Sequence, residues 1–213
     1  MRSPLPILRV AAAAALAVLL TACISVLPKS DPAQLYSFSG SAPAAVVKAA
    51  TPAKSFDVLK GIGSFDRASA GDRILTTDGQ KVAYIAKARW VAPAAILFDQ
   101  ALSSAFDDSG GAARLISRGQ VGRAAYVLRL DVRDFEARYE NGPNTAPVVL
   151  IRVHASLTGD DRAVIGDKMF EVRTPAADNR IGAIAQAFDK SVSQVMGELV
   201  AWTNAAGAPA SAG

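Results

Sequence analysis

The stretch YVLRLDVRDFEARY, residues 126–139, alternates apolar and polar side chains and so indicates a β-strand with one buried face. At Asp134 the alternation slips by one residue, and the apolar positions continue as Phe135, Ala137 and Tyr139. A change of phase within a strand is typical of a bulge or bend, where one extra residue is inserted. The sequence therefore predicts a long strand with an irregularity near its middle.

The segments that follow predict two more strands joined to this one by short turns. A loop over residues 141–147 contains Asn, Gly and Pro, and a second turn spans residues 159–162. Between them residues 149–157 alternate again, and a further strand is expected around residues 166–174. Three consecutive strands with tight connections predict an antiparallel meander.

Shorter strands are expected upstream. Candidates are a brief strand at Tyr36–Phe38, a strand over residues 56–65 and a hairpin over residues 73–84 that turns at Asp78-Gly79. Residues 113–118 form another short candidate, and residues 40–55, with many alanines and two prolines, are expected to be a loop.

Two segments have helical periodicity. Pro93 is suited to the first turn of a helix that runs to about Asp108. The second helix is the clearest element, and Asp178 or Asn179 is a candidate N-cap. Its apolar positions recur every three or four residues: Ile181, Ile184, Phe188, Val192, Val195, Leu199 and Trp202. This stripe is expected to cover the sheet, with an interface to another chain as the alternative. The predicted fold class is α/β: a mixed, largely antiparallel sheet packed by two main helices, including a long C-terminal amphipathic helix.

The N-terminus has the pattern of a secretory signal peptide. Arg2 and Arg9 precede eleven apolar residues, 10–20, and small residues follow. The apolar run is shorter than the ~20 residues that span a bilayer comfortably. An uncleaved N-terminal anchor with an incidental cysteine is the alternative.

The exit from this run, Leu20-Thr21-Ala22-Cys23, resembles the lipobox of bacterial lipoproteins. The resemblance implies that the signal is cut before Cys23 and that this residue becomes the acylated N-terminus, because a thiolate is a good nucleophile near neutral pH. Cys23 is thus the predicted lipid-attachment residue. By similarity to enteric lipoproteins, Ile24 in place of aspartate favours the outer membrane, with the protein facing the periplasm.

Composition restricts the class of protein. The 213 residues carry 23 Lys and Arg against 19 Asp and Glu, and without Arg2 and Arg9 the balance is 21 − 19 = +2. This is an ordinary solvated surface and argues against nucleic acid as a partner. The expected organisation is a signal peptide at 1–22, an acylated N-terminus and tether at 23–34, a single domain at 35–203 and a flexible tail at 204–213.

Residues with catalytic or ligand-binding potential are few. His154 is the only histidine and Cys23 the only cysteine, so no metal site is expected. His154 lies on the polar face of its predicted strand and is interpreted as a surface position. Gly61-Ile62-Gly63 lacks the third glycine of a dinucleotide-binding loop, and no ATP-binding Walker motif occurs. We therefore expect no catalytic residues and no cofactor, although the sequence leaves open a carboxylate pair of the glycosidase type.

Taken in order, several of these marks resemble the ABC-type transport auxiliary lipoprotein components, the family that includes the paraquat-inducible protein C type. They are Tyr36-Ser37-Phe38, Tyr84 shortly before Trp90 and Pro93, the alternating strand from Tyr126 and the final helix ending near Trp202. The resemblance covers about residues 35–202. The alanine-rich loop at 40–55 and the Gly61-Ile62-Gly63 segment depart from the family pattern.

The resemblance implies a non-catalytic, lipid-anchored component of an envelope lipid-transport system. Its expected partners are an ABC permease with its ATPase and a mammalian-cell-entry (MCE) domain protein, and a homo-oligomer is possible. Two alternatives remain from the sequence: a periplasmic hydrolase, and a structural outer-membrane assembly lipoprotein that binds a β-barrel or peptidoglycan.

Overall fold

The computed structural model describes residues 32–40, 55–117, 119, 124–159 and 161–208. Cys23, the predicted signal peptide and nearly all of the predicted tether lie outside these residues. In the described part, nine strands and two helices follow in this order: β1 Gln34–Tyr36, β2 Phe56–Lys60, β3 Ser64–Phe65, β4 Arg73–Asp78, β5 Lys81–Trp90, α1 Ala94–Asp108, β6 Ala113–Ile116, β7 Tyr126–Arg138, β8 Val148–Gly159, β9 Val164–Pro175 and α2 Ile181–Gly207. Neither of the described helices is long and apolar enough to span a bilayer.

The sheet is organised around β7. One edge of β7 pairs antiparallel with β8 over its whole length, and β8 pairs antiparallel with β9. The other edge of β7 carries three short parallel partners in succession, β2, β3 and β4. Beyond these, β2 pairs in parallel with β6. On the other side β4 pairs antiparallel with β5, and β5 pairs in parallel with β1. The predicted fold class and the predicted meander are confirmed.

The irregularity in β7 is also confirmed, since the β7–β8 register shifts between Val132 and Asp134. Before the shift Val132 faces the core, and after it Phe135 and Ala137 do. The inserted residue therefore keeps the apolar side chains of both halves on one face of a long, twisted strand.

Several predicted boundaries were wrong in detail. The strand expected at 56–65 is two strands, β2 and β3, separated by residues 61–63. The first strand lies at Gln34–Tyr36, not Tyr36–Phe38, because Phe38 leaves the sheet to enter the core. In the β4–β5 hairpin Asp78 pairs with Lys81, so the turn residues are Gly79 and Gln80, and Gly79 adopts the left-handed conformation with φ 57°.

The termini of α2 also differ from the prediction. Its N-cap is Arg180, without a side-chain capping bond, and Asp178 instead accepts the backbone N–H of Arg180 at 2.8 Å. At the other end the helix includes residues 204–207, which the sequence assigned to the tail. Asn204 fixes this last turn, since its Oδ1 accepts the Ala113 N–H at 2.8 Å.

Both helices contribute to one hydrophobic core with the apolar face of the sheet. Phe135 lies at its centre, with ring centroids 4.9 Å from Phe188 and 5.3 Å from Phe38. Val192 and Leu199 of α2 are fully buried, so the apolar stripe of this helix covers the sheet as predicted. Trp202 is half-buried and packs edge-on against Phe170 of β9 at 5.8 Å.

We call residues 33–40 the N-terminal strap. Its strand β1 pairs in parallel with the end of β5. Phe38 then inserts edge-on against Trp90 at 5.1 Å, and the Ser39 N–H donates to Asp189 of α2 at 2.9 Å. At Gly40 a Cβ would lie 2.7 Å from Ala101, so the strap passes too close to α1 for any larger residue. The strap thus contributes Phe38 to the core.

Candidate functional site

The face of the sheet opposite the helices is the candidate functional surface, and we call it the open face. Residues paired across neighbouring strands point to the same side. The polar positions of β7, β8 and β9 are in register on this side, for example Asp134 with Arg152 and Arg152 with Glu171. The antiparallel meander therefore has one polar face exposed to solvent, as such sheets commonly do.

A chain of polar contacts crosses the middle of the open face. The Ser64 hydroxyl of β3 donates to Asp131 of β7 at 2.7 Å, and the Ser64 N–H donates to the same oxygen at 3.0 Å. His154 of β8 lies between two carboxylates, with Nε2 2.9 Å from Asp167 and Nδ1 3.9 Å from Asp131. The four residues, Ser64, Asp131, His154 and Asp167, connect four strands, and we refer to them as the polar row.

Electrostatics in the polar row favour an ionised Asp131. The hydrogen bond from the Ser64 hydroxyl is the largest influence and lowers the pKa of this carboxyl, with smaller contributions from the Ser64 N–H, Arg129 and His154. Partial burial acts in the opposite direction but does not outweigh the donors. Asp131 is therefore a fixed negative charge on the open face at neutral pH.

The polar row does not have the geometry of a serine–histidine nucleophile pair. In such a pair the histidine accepts the serine proton and a carboxylate orients the histidine from its far side. Here the Ser64 hydroxyl donates to Asp131, so the carboxylate stands between the serine and the imidazole. The row is a set of polar contacts across four strands, with hydrogen bonds between Ser64 and Asp131 and between His154 and Asp167.

A second group of charges lies next to the polar row. Arg138 donates to Glu136 at 2.5 Å, and Arg152 donates to Asp134 at 2.6 Å. Glu136 is only 7% exposed, although it lies on the open face. The neighbouring Leu150, its partner on β8, is 2% exposed. The charged ends of both arginines are therefore paired beside a buried leucine on the open face.

An apolar row crosses the opposite end of the open face. Cross-strand pairing places Ile116 beside Leu59, Leu59 beside Val127, Val127 beside Thr158, and Thr158 beside Val164. Val164 is 65% exposed. The open face thus combines charged side chains with an apolar row at one end.

The glycines that the sequence singled out have a packing role. At Gly63 an added Cβ would lie 1.8 Å from the carbonyl oxygen of Leu130, so only glycine permits the close approach of β3 to β7. The chain between β2 and β3 is held there by Arg129, whose Nε donates to the Ile62 carbonyl at 2.9 Å. Gly61-Ile62-Gly63 thus joins two short strands and does not open a helix.

A cleft of about 630 Å³ lies between the end of α1 and β6, with Asp57, Asp107 and Arg114 in its lining. Arg114 forms an ion pair with Asp57 at 2.8 Å. One of the two carboxylates is therefore already neutralised by a cation, which is unlike the free acid and base of a glycosidase.

The sequence predicted the position of His154 on the polar face but not its partners. Ser64 and Asp167 are distant from it in sequence and ordinary in composition, so no local pattern marks them. Among the described residues there is no cluster of three or more His, Cys, Asp or Glu side chains suited to a metal ion. Cys23, the predicted lipid-attachment residue, lies outside the described part of the chain.

The fold and its surface define a class: an α/β domain whose mixed sheet has one face covered by helices and one open, charged face. The sequence pattern of the ABC-type transport auxiliary lipoprotein component family matches residues 36–200, and the chain belongs to this family.

Solved structures show the same fold. A Xanthomonas campestris protein of the DUF330 family is 27% identical, with a TM-score of 0.70 over 82% of this chain and 97% of its own. An uncharacterized protein at 11% identity gives a TM-score of 0.63 over 81% of this chain and 99% of its own, which is a likeness of fold alone. A comparison with curated proteins finds no match.

Proposed function

We propose that this protein is a non-catalytic, lipid-anchored component of an envelope transport system that moves lipids between the inner and outer membranes. In this proposal Cys23 carries the lipid, the outer membrane holds the anchor and the folded domain faces the periplasm. Its partners are an MCE-domain protein and the ABC permease with its ATPase. The family match over residues 36–200 is the observation that carries the proposal, because the family is an auxiliary component of ABC-type transport.

The anchor is supported by the sequence around Cys23. A basic start, an apolar run at residues 10–20 and Leu20-Thr21-Ala22 before the cysteine combine the features that lipoprotein processing requires. Several acyl chains on one residue give stable attachment, since each buried methylene contributes ~0.8 kcal/mol.

A docking role, in contrast to catalysis, is supported by the open face. Its charged side chains are largely engaged with one another, as in the Arg152–Asp134 and Arg138–Glu136 pairs. Such a patterned, charged surface suits recognition of a protein partner, where charge complementarity sets orientation and specificity.

The anchor is tested by membrane fractionation with radiolabelled palmitate. We expect the native chain to be labelled and to sediment with outer membranes, and Cys23→Ala to be unlabelled and to leave that fraction. Ile24→Asp is the matched control for sorting: it retains the label and shifts toward the inner membrane. An unlabelled native protein would contradict the anchor.

The transport role is tested by cross-linking in intact envelopes, followed by purification of the native chain and mass spectrometry. Recovery of an MCE-domain protein with an ABC permease supports the proposal. Recovery of an outer-membrane β-barrel or peptidoglycan instead would support the assembly alternative. Cys23→Ala, displaced from the membrane, is expected to recover less of the transport partner.

A further inference from the structure

The outer edge of β9 is an unusual feature of the described domain. β9 is a strand of 12 residues, and within the described part of the chain it pairs on one side only, with β8. Val164, Ile165 and Met169 of this strand are exposed by 65%, 44% and 41%. Pro175 stands at its end, where it does not interrupt the edge.

Long, regular edge strands are templates for pairing, and proteins usually shorten them, insert proline or charge, or cover them. In β9 the ammonium of Lys168 lies over the ring of Phe170, 4.6 Å from its centroid. This charge therefore does not shield the outer edge of the strand from pairing. The single irregularity lies near Ile165, at the start of the strand. The edge from Gly166 to Thr174 is therefore regular and suited to accept another strand.

In one antiparallel register, β9 is complementary in charge to a second copy of itself. On the open face its side chains are Asp167, Met169, Glu171 and Arg173, because they pair with the polar side of β8. An antiparallel pair of β9 strands with Phe170 opposite Phe170 places Asp167 opposite Arg173 twice, related by a two-fold axis. The same register places Met169 opposite Glu171 and brings the two exposed Met169 side chains diagonally together across that axis.

Other registers are worse. Only shifts that keep the side chains on matching faces are allowed, so the register changes in steps of two. One step in one direction places Asp167 opposite Glu171, and one step in the other places Glu171 opposite itself. A further step in that second direction restores opposite charges through Glu171 and Arg173, but it shortens the ladder to Met169–Pro175.

We propose that β9 pairs antiparallel with β9 of a second copy of this chain, with the two-fold axis at Phe170, to form one continuous sheet. Asp167 and Arg173 already have partners within the chain, His154 at 2.9 Å and Glu140. Both side chains nevertheless stay partly exposed, at 57% and 41%, and each has bonding positions left. The contact is isologous, as is usual for two-fold dimers. It is independent of the lipid anchor and of the transport partners.

The test measures dimerisation of the full chain by sedimentation in excess detergent. We expect the native protein to dimerise, and Asp167→Arg and Arg173→Asp each to raise the dissociation constant at least tenfold, because each creates two like-charge pairs per dimer. The double variant, which exchanges the two charges, is expected to return to within about threefold of the native value. Lys81→Asp, at the exposed hairpin between β4 and β5, is the matched control and leaves dimerisation unchanged.

Hydrogen exchange on the native protein provides a second readout that needs no variant. Backbone amides on the outer edge of β9 are expected to exchange more slowly as protein concentration rises. A chain that stays monomeric, a dimer or larger assembly whose β9 amides are unprotected, or a folded double variant that fails to recover would each overturn the proposal.

Discussion

Replacing Phe135 by alanine tests whether one side chain holds together the elements of this core. Phe135 is 1% exposed and lies just after the β7 irregularity. Its ring contacts Phe38 of the strap, Phe65 of β3 and Phe188 of α2, at centroid distances of 5.3, 5.5 and 4.9 Å. The side chain therefore joins segments that are far apart in sequence.

The expected loss follows from burial. Truncating a buried phenylalanine removes its transfer free energy and leaves a cavity, at a cost of about 3–5 kcal/mol. We expect the upper half of this range, because several aromatic contacts are lost together. For a chain of this size, 4 kcal/mol lowers the melting temperature by about 8–16 °C, at about 2–4 °C per kcal/mol.

Urea denaturation followed by tryptophan fluorescence is a suitable assay, since Trp90 lies 6.3 Å from Phe135. Ile96→Ala is the matched control, because Ile96 is 51% exposed on α1 and its loss is expected to change the free energy of unfolding by no more than about 0.5 kcal/mol. A Phe135→Ala protein within about 1 kcal/mol of the native one would refute the assignment of this residue as the core centre.

Two further predictions concern β3. Gly63→Ala is expected to destabilise the fold by about 3 kcal/mol, because the added Cβ would lie 1.8 Å from the Leu130 carbonyl oxygen. Gly71→Ala is the control and should be neutral in the same denaturation assay, because nothing lies within 4 Å of its added Cβ. Equal effects of the two substitutions would contradict the close approach of Gly63 to Leu130. Ser64→Ala is expected to raise the pKa of Asp131 toward its ordinary value, as carbon-detected NMR titration of the carboxyl would show. Because the pKa of Asp131 is lowered in the folded protein, the stabilisation by Ser64 is present above the ordinary aspartate pKa and is lost as pH falls through the folded value. The difference in free energy of unfolding between the native protein and Ser64→Ala should therefore shrink in acid. A difference that stays constant with pH would argue against this linkage.

The local patterns of the sequence predicted the long elements well. Residues 126–139 and 149–157 alternate with period two, and α2 repeats with the helical period, because each of these elements has one face on the core. The irregularity at Asp134 was predictable for the same reason, since the apolar phase changes there. In such elements the pattern of apolar and polar residues along the sequence shows which face is buried.

The short parallel strands were not predictable in the same way. β3 has two residues, and its position depends on Gly63 approaching Leu130 and on Ser64 bonding to Asp131, 67 residues away. The polar row has the same origin, because His154 meets Asp167 only after β8 and β9 have paired. Such contacts follow from the assembled sheet and leave no periodic trace in the sequence.

The N-terminal strap has a mechanical consequence. Tension applied from the N-terminal side of the domain reaches β1 first. The next contacts along the strap are that of Phe38 with Trp90 and the hydrogen bond from the Ser39 N–H to Asp189. A force on the N-terminus is therefore transmitted to contacts of the core and not to a peripheral hinge. Releasing the strap also removes Phe38 from its contact with Phe135, so we expect loss of the strap from the sheet to open the aromatic core.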